Sequence, residues 1–229
     1  VLGDTTLPEA AMTAGSSTTM AVGSAVQAAA DNLKRRVGEL AGGAAPPPDE
    51  WPELLRRGGL DRIAAEGTWG PGPKASPTGE DPDWAMYTFG AIFAEVVLDE
   101  ELPIPRLRRC LGVYSAGRII NPRTARSQMT GGMVWGIGQA LLEESPMDHR
   151  LGRYLSKNLA GCLVPANADV PALEAHFVDE YDDHASAIGA RGIGELGAVG
   201  VGAAVANAVY HATGVRLRAL PIRVESLLT

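Results

Sequence analysis

Hydrophobic positions recur along this chain with two different periods. In residues 20–40, Val22, Val26, Ala29, Ala30, Leu33 and Val37 fall at helical spacing, so a long helix is expected there. The hydroxyl-rich stretch just before it, Thr13-Ala14-Gly15-Ser16-Ser17-Thr18-Thr19, supplies good N-cap residues. Residues 86–98 alternate instead, with Tyr87, Phe89, Ala91 and Phe93 set against Thr88, Gly90 and Ile92, which predicts a strand. Residues 106–114 read as a second strand. The Leu102-Pro103-Ile104-Pro105 turn between them predicts an antiparallel pair.

Asn121-Pro122 marks a break before a helix over residues 124–143, with Met129, Gly132, Met133, Gly136, Ile137, Ala140 and Leu141 on one face. Gly131, Gly132, Gly136 and Gly138 each cost ~1 kcal/mol relative to alanine inside a helix. Either close packing on another backbone or a large ligand accounts for them. Residues 173–178 read as a third strand and 180–184 as an acidic turn. Residues 198–212 read as the last long helix, with Gly214 as its C-cap residue. An extended run over 216–222 and a helical turn over 224–228 follow.

Residues 41–83 are turn-rich, with Gly42-Gly43, Pro46-Pro47-Pro48, Gly58-Gly59 and Gly70-Pro71-Gly72-Pro73. Short helices are expected at 51–55 and 60–65. Trp51 and Trp69 favour burial, so this is read as a covering excursion within a domain spanning residues 1–229. Together these elements predict an α+β fold, antiparallel strands with flanking helices.

At 229 residues the chain can bury a sizeable core. Its net charge of −7 and lack of a basic run argue against nucleic acid or an anionic membrane as partner. No stretch approaches the ~20 apolar residues of a membrane span, and no signal peptide is evident. The first residue is Val1, so the chain reads as the C-terminal part of a longer one, and the choice between cytoplasm and periplasm stays open. Cys110 and Cys162 are too few for a metal cluster, and two buried free thiols are expected rather than a disulfide. His149, His176, His184 and His211 include no pair at helical metal-ligand spacing.

The segment richest in chemistry is Ala190-Arg191-Gly192-Ile193-Gly194-Glu195-Leu196-Gly197, a single carboxylate among glycines. Gly192, Gly194 and Gly197 match the dinucleotide fingerprint G-x-G-x-x-G literally. The preceding Asp182-Asp183-His184-Ala185-Ser186 is not an apolar strand, and no acid follows about 20 residues on. No G-x-S-x-G hydrolase elbow occurs, and nothing designates a second acid to work with Glu195. Glu195 is then either an acid in the first turn of the following helix or a placed general base. The hydroxyl loop likewise reads as capping alone or as a cradle for phosphate or a polar ring system.

Four ordered motifs resemble the xanthine dehydrogenase/aldehyde oxidase family, in its molybdenum-binding large subunit. They are Gly15-Ser16-Ser17-Thr18-Thr19 before a helix; Gly117-Arg118-Ile119-Ile120-Asn121-Pro122 followed by Gln128 and Gly131-Gly132; Gly152-Arg153-Tyr154 with Leu163-Val164-Pro165 and Ala168-Asp169-Val170-Pro171; and the 190–195 segment. The third set resembles the bacterial aldehyde-oxidising branch. The resemblance implies that Glu195 is the general base on a molybdenum-bound hydroxyl, during hydroxylation of aldehydes or N-heteroaromatics with water as oxygen source. It implies a molybdenum–molybdopterin cofactor, in bacterial members a cytosine dinucleotide, with no direct protein ligand to the metal. Its matching contacts are Gly15, Ser16, Ser17, Thr18, Thr19, the Gln128 amide, and the backbone of Arg191, Gly192, Ile193 and Gly194. A wide ligand lying along the Gln128 helix would then explain its glycines.

The same resemblance implies [2Fe-2S] and FAD partner subunits and an upstream part of the large subunit. Ser115-Ala116-Gly117 departs from it, standing where many members carry Asp-x-Gly. The alternatives are a non-catalytic domain of the same fold, or a nicotinamide-dependent oxidoreductase using Gly192 to Gly197.

Overall fold

The computed structural model describes residues 3–10, 12–70, 84, 86–99 and 101–228. The Pro71-Gly72-Pro73 part of the excursion lies outside the described residues. The chain forms two compact units: Val1–Tyr87 with Tyr181–Gly192, and Thr88–Glu180 with Ile193–Thr229.

In the first unit, helix α1 spans Thr18–Ala41 and closes at Gly42, at φ 74°, where the Gly42 N–H donates to the Glu39 carbonyl and the Gly43 N–H to that of Gly38. Helix α2 spans Trp51–Arg57. The half-buried Trp51 indole donates to the Pro46 carbonyl at 2.8 Å. The helix expected at 60–65 does not form. The backbone there bonds to α1 instead of to itself: Asn32 donates to the Glu66 carbonyl at 2.9 Å and Arg36 to that of Ala64. Gly67 lies so close that a Cβ on it would come within 2.1 Å of the Ala29 nitrogen. Residues 181–192 also dock on α1, where the buried Ser24 hydroxyl accepts the Ala187 N–H at 3.0 Å.

In the second unit a three-stranded sheet runs in the order β1 (Phe89–Leu98), β2 (Pro105–Ser115), β5 (Ala172–Phe177). β1 and β2 form the expected antiparallel hairpin, from Phe89 opposite Ser115 to Leu98 opposite Pro105, with an irregularity at Glu95/Val96. β5 pairs with β2 in parallel, so the sheet is mixed rather than antiparallel throughout. A parallel pair needs a crossover connection, and helix α3 (Pro122–Leu141) lies in the chain between the two strands. The small hairpin β3 (Met147–Asp148) and β4 (Arg153–Tyr154) follows α3. Asn121 caps α3, its side chain accepting from the Arg123 and Thr124 amides, with Pro122 at the first helical position, where its missing N–H costs nothing.

Helix α4 spans Val201–Thr213, not 198–212. Gly200, at φ 87°, holds a conformation a right-handed helix excludes and so delays the start. α3 and α4 cover one face of the sheet. Met129, Met133, Ile137 and Ala140 from α3 pack with Val201, Val205 and Val209 from α4 over Leu107, Cys110, Tyr114 and Ala175. The aromatic side of the β1 alternation points away from this core: Phe89, Phe93 and Val97 are exposed, while Ile92, Ala94 and Val96 pack inward. Both faces of β1 are apolar, so alternation alone could not choose between them. Residues 216–222, expected to run extended, join no strand ladder, whereas Val224–Leu227 forms the expected helical turn.

Close packing explains most of the α3 glycines. A Cβ at Gly132 would sit 2.7 Å from the Gly197 carbonyl carbon, at Gly136 2.5 Å from Val201 Cβ, and at Gly138 2.9 Å from Pro165 Cδ. The ligand-based reason is therefore set aside for these three; only Gly131 faces open space. The serine that departs from the family pattern also has a local cause. The Ser115 hydroxyl donates to the Glu180 carboxylate at 2.9 Å, and the Gly117 N–H donates to it at 2.6 Å. An aspartate at 115 would offer that carboxylate a second negative charge.

Both cysteines are free, as expected, but Cys162 is exposed. Burial pushes the Cys110 thiol up to about 11. One thiol should therefore react with a thiol reagent at pH 8 in the native chain and two in denaturant; two in the native state would contradict this core. Gly136→Ala should destabilise by ~1–3 kcal/mol through overpacking on Val201. Gly131→Ala should stabilise by up to ~1 kcal/mol. Chemical denaturation of the two variants checks the pair.

Candidate functional site

The hydroxyl loop belongs to the first unit. Gly15 and Ser16 both have φ of 58°, and among the described residues Ser16 is the one non-glycine with positive φ. Ser17 then returns to the right-handed region as the residue before α1. A left-handed residue followed by a right-handed one directs successive N–H groups toward one side, a concavity suited to anions. The Ser17 hydroxyl donates backward to the Ala14 carbonyl at 2.8 Å. It does not cap the helix, and no acid lies in the first turn. The Ser17 hydroxyl is therefore not a helix cap. Gly15, Ser16, Thr18 and Thr19 are exposed. The positive end of a 24-residue helix opens beside them.

Arg191 and Gly192 border this loop. A Cβ at Gly192 would lie 2.9 Å from Ser16 Cβ and 3.1 Å from the Gly15 carbonyl oxygen, so only glycine fits. The Arg191 side chain is almost buried, donating to the Tyr87 carbonyl at 2.7 Å, 3.5 Å from the Asp182 carboxylate. Asp182 also accepts the His184 and Ala185 amides, so the expected acidic turn is a braced one. Sequence reasoning took only the backbone of Arg191. Its structural side chain was detectable only as an arginine near acids, which is a weak signal.

The carboxylate belongs to the second unit. Residues 194–200 form successive turns, and Glu195 is exposed on them. The Glu195 carbonyl accepts the Ala198 N–H at 3.0 Å and the Val199 N–H at 3.4 Å. With α4 starting at Val201, Glu195 is not an acid in a helix's first turn. Gln128, exposed on α3, donates from its amide to the Gly194 carbonyl. Gly197 packs on the same helix, where a Cβ would come within 2.5 Å of the Met129 carbonyl oxygen. Ile193 and Leu196 pack against the core on either side. The contact between the Gln128 amide and Gly194 was not foreseen; their separation of 66 residues hides it in the sequence.

The strand–turn–helix context of a dinucleotide fingerprint does not exist around Gly192. Residues 181–190 are mostly turns, and no helix opens at Gly192. Among the described residues, no group of three or more His, Cys, Asp or Glu is placed to hold a metal ion. No helix there is long and apolar enough to cross a membrane.

The first unit thus presents an exposed loop of hydroxyls, and the second presents a carboxylate on a braced turn. The model of the molybdopterin cofactor-binding domain matches residues 1–171, and the chain belongs to that family. It is 47% identical over 146 residues to the aldehyde oxidoreductase molybdenum-binding subunit PaoC of Escherichia coli, covering 64% of this chain and 20% of that one. It is 39% identical over 139 residues to the putative xanthine dehydrogenase molybdenum-binding subunit XdhA of the same organism, covering 61% and 18%. The chain thus spans about a fifth of the length of these curated relatives.

Among solved structures, the aldehyde oxidoreductase of Desulfovibrio desulfuricans superposes with a TM-score of 0.78 at 25% identity, covering 96% of this chain and 23% of that one. That of Desulfovibrio gigas gives 0.72 at 26% identity, covering 94% and 23%. Glu195 lies beyond the span of the family model.

Gly192→Ala should destabilise the first unit by ~1–3 kcal/mol, because the added methyl meets Ser16 and the Gly15 carbonyl at contact distances that force a shift. Thermal denaturation of the variant checks this; an unchanged midpoint would mean that the loop yields freely.

Proposed function

We propose that this chain is the part of a molybdenum hydroxylase that holds the pterin cofactor and supplies the general base, in an enzyme oxidising small aldehydes to carboxylic acids or hydroxylating N-heteroaromatics. The observation that carries the proposal is the carboxylate of Glu195, exposed on a braced turn in a chain of the molybdopterin cofactor-binding family. The donor set fits such a cofactor. Molybdopterin in its dinucleotide form offers phosphates and a pterin rich in polar edges. The loop Gly15 to Thr19 offers hydroxyls, exposed backbone and a helix N-terminus that the Ser17 side chain does not cap and whose first turn carries no acid.

In this reading Gly15, Ser16, Ser17, Thr18 and Thr19 bind the anionic and polar parts of the cofactor. The backbone of Arg191, Gly192, Ile193 and Gly194 contributes further hydrogen-bonding groups. No side chain of this chain ligates the metal, which the pterin dithiolene carries. When bound, the cofactor supplies the two-electron acceptor for the reaction. Glu195 receives, at its carboxylate, the proton released as water oxygen is delivered to the substrate carbon. Net oxidation of an aldehyde by water releases two electrons and two protons. The electrons leave through [2Fe-2S] and FAD groups on partner subunits, and the upstream part of the large subunit completes the substrate pocket. Relatives whose printed names describe subunits support such an assembly, among them a gamma subunit of the 6-hydroxypseudooxynicotine dehydrogenase complex.

In the complete enzyme, Glu195→Gln should lower turnover by about 10²–10⁴-fold, the usual contribution of a general base, with molybdenum content near that of the unaltered enzyme. Steady-state assay with elemental analysis checks both. Retained turnover removes Glu195 from the chemistry. A complete complex that contains no molybdenum makes this chain a non-catalytic domain of the same fold.

A further inference from the structure

We propose that Gln128 is a positioning residue that aims Glu195, acting through the backbone of the turn rather than through the cofactor. The inference rests on the reading of Glu195 as general base. Glu195 stands between two peptide units, and each is fixed. On its N-terminal side the Gly194 carbonyl accepts the Gln128 amide from α3. On its C-terminal side the Glu195 carbonyl accepts the Ala198 and Val199 amides, closing the turn on itself.

The turn is also seated on α3 without side chains between. A Cβ at Gly197 would meet the Met129 backbone at 2.5–3.0 Å, and one at Gly132 would meet Gly197 and Ala198 backbone at 2.7–2.8 Å. Gln128 and Gly132 are one helical turn apart and share a face of α3. One stripe of α3 therefore carries a steric seat and a polar latch for the same turn.

The seat alone sets how near the turn approaches. It does not set the rotation of the 194–195 peptide plane, because glycine at 194 leaves both of its torsions free. Within the turn that the Leu196 N–H closes on the Ile193 carbonyl, the Gln128 latch bears on that rotation, and so on the direction in which the Glu195 Cα–Cβ bond leaves the backbone. A proton acceptor must lie within hydrogen-bond reach of its proton, so a change in this direction costs rate without changing substrate affinity.

The test uses the complete enzyme with its partner subunits. Gln128→Leu removes the donor at similar volume, and Gln128→Glu keeps the length but puts an acceptor against the Gly194 carbonyl. Four quantities are measured: molybdenum per protein, kcat, KM, and amide hydrogen exchange across residues 193–199. The expected result is unchanged molybdenum, KM within about twofold, kcat lower by on the order of 10²-fold as for a small misplacement of a reacting group, and faster exchange at Ala198 and Val199. Loss of molybdenum in both variants overturns the inference, since the amide would then serve the cofactor. An unchanged kcat, with Glu195→Gln inactive, overturns it while leaving the base reading intact. An active Glu195→Gln enzyme removes the base reading and this inference with it. Should Gln128→Leu fail to fold, Gln128→Glu alone decides, and unaltered kcat and exchange there overturn the inference.

Discussion

The second unit depends on the close approach of α3 to the segment entering α4. Gly132 and Gly136 on one side, Gly197 and Val201 on the other, leave no space for added methyl groups. Dispersion is strongest at such short separations, and interiors packed to this density do not deform gradually. Both helices present their apolar faces to the sheet: Met133 and Ile137 from α3, Val205 and Val209 from α4. A chain that gives up helix propensity at several α3 positions recovers it as packing. The turn bearing Glu195 is part of that contact and not an appendage to it.

The first unit solves a different problem. Its long helix begins with no side-chain cap from Ser17 and no acid in its first turn, and helix ends without partners are costly. Gly15 and Ser16 lead into that helix in left-handed backbone conformations, and a side chain at Gly192 would meet Ser16 and the Gly15 carbonyl. Arg191, Asp182, Ser24 and Ser186 brace the segment leading to Gly192 with interior hydrogen bonds. Binding groups on a loop, supported by rigid elements, are a common arrangement for recognition.

Much of this was legible in the residues. The helical spacing of α1, the alternation of β1 and the cap at Asn121-Pro122 each arise from local rules, so their elements appear within a few residues of expectation. The ordered motifs pointed to the family that the model of the molybdopterin cofactor-binding domain matches. Less legible were the features set by distant partners. Residues 60–65 look helical in isolation yet bond to α1. The parallel pairing of β5 with β2 follows from where α3 returns the chain, not from the strand itself.

The sequence alone determined which residues are capable of the chemistry: one carboxylate among glycines, a run of hydroxyls before a helix, and an amide on a glycine-rich helix. These are properties of side chains and short-range torsions, and they survive without knowledge of the fold. Only the tertiary structure decided that α4 waits until Val201, that Gly132, Gly136 and Gly138 of α3 answer to packing, and that the amide of Gln128 holds Gly194. Contacts between residues far apart in the chain depend on how helices pack in three dimensions, and no local pattern carries that information.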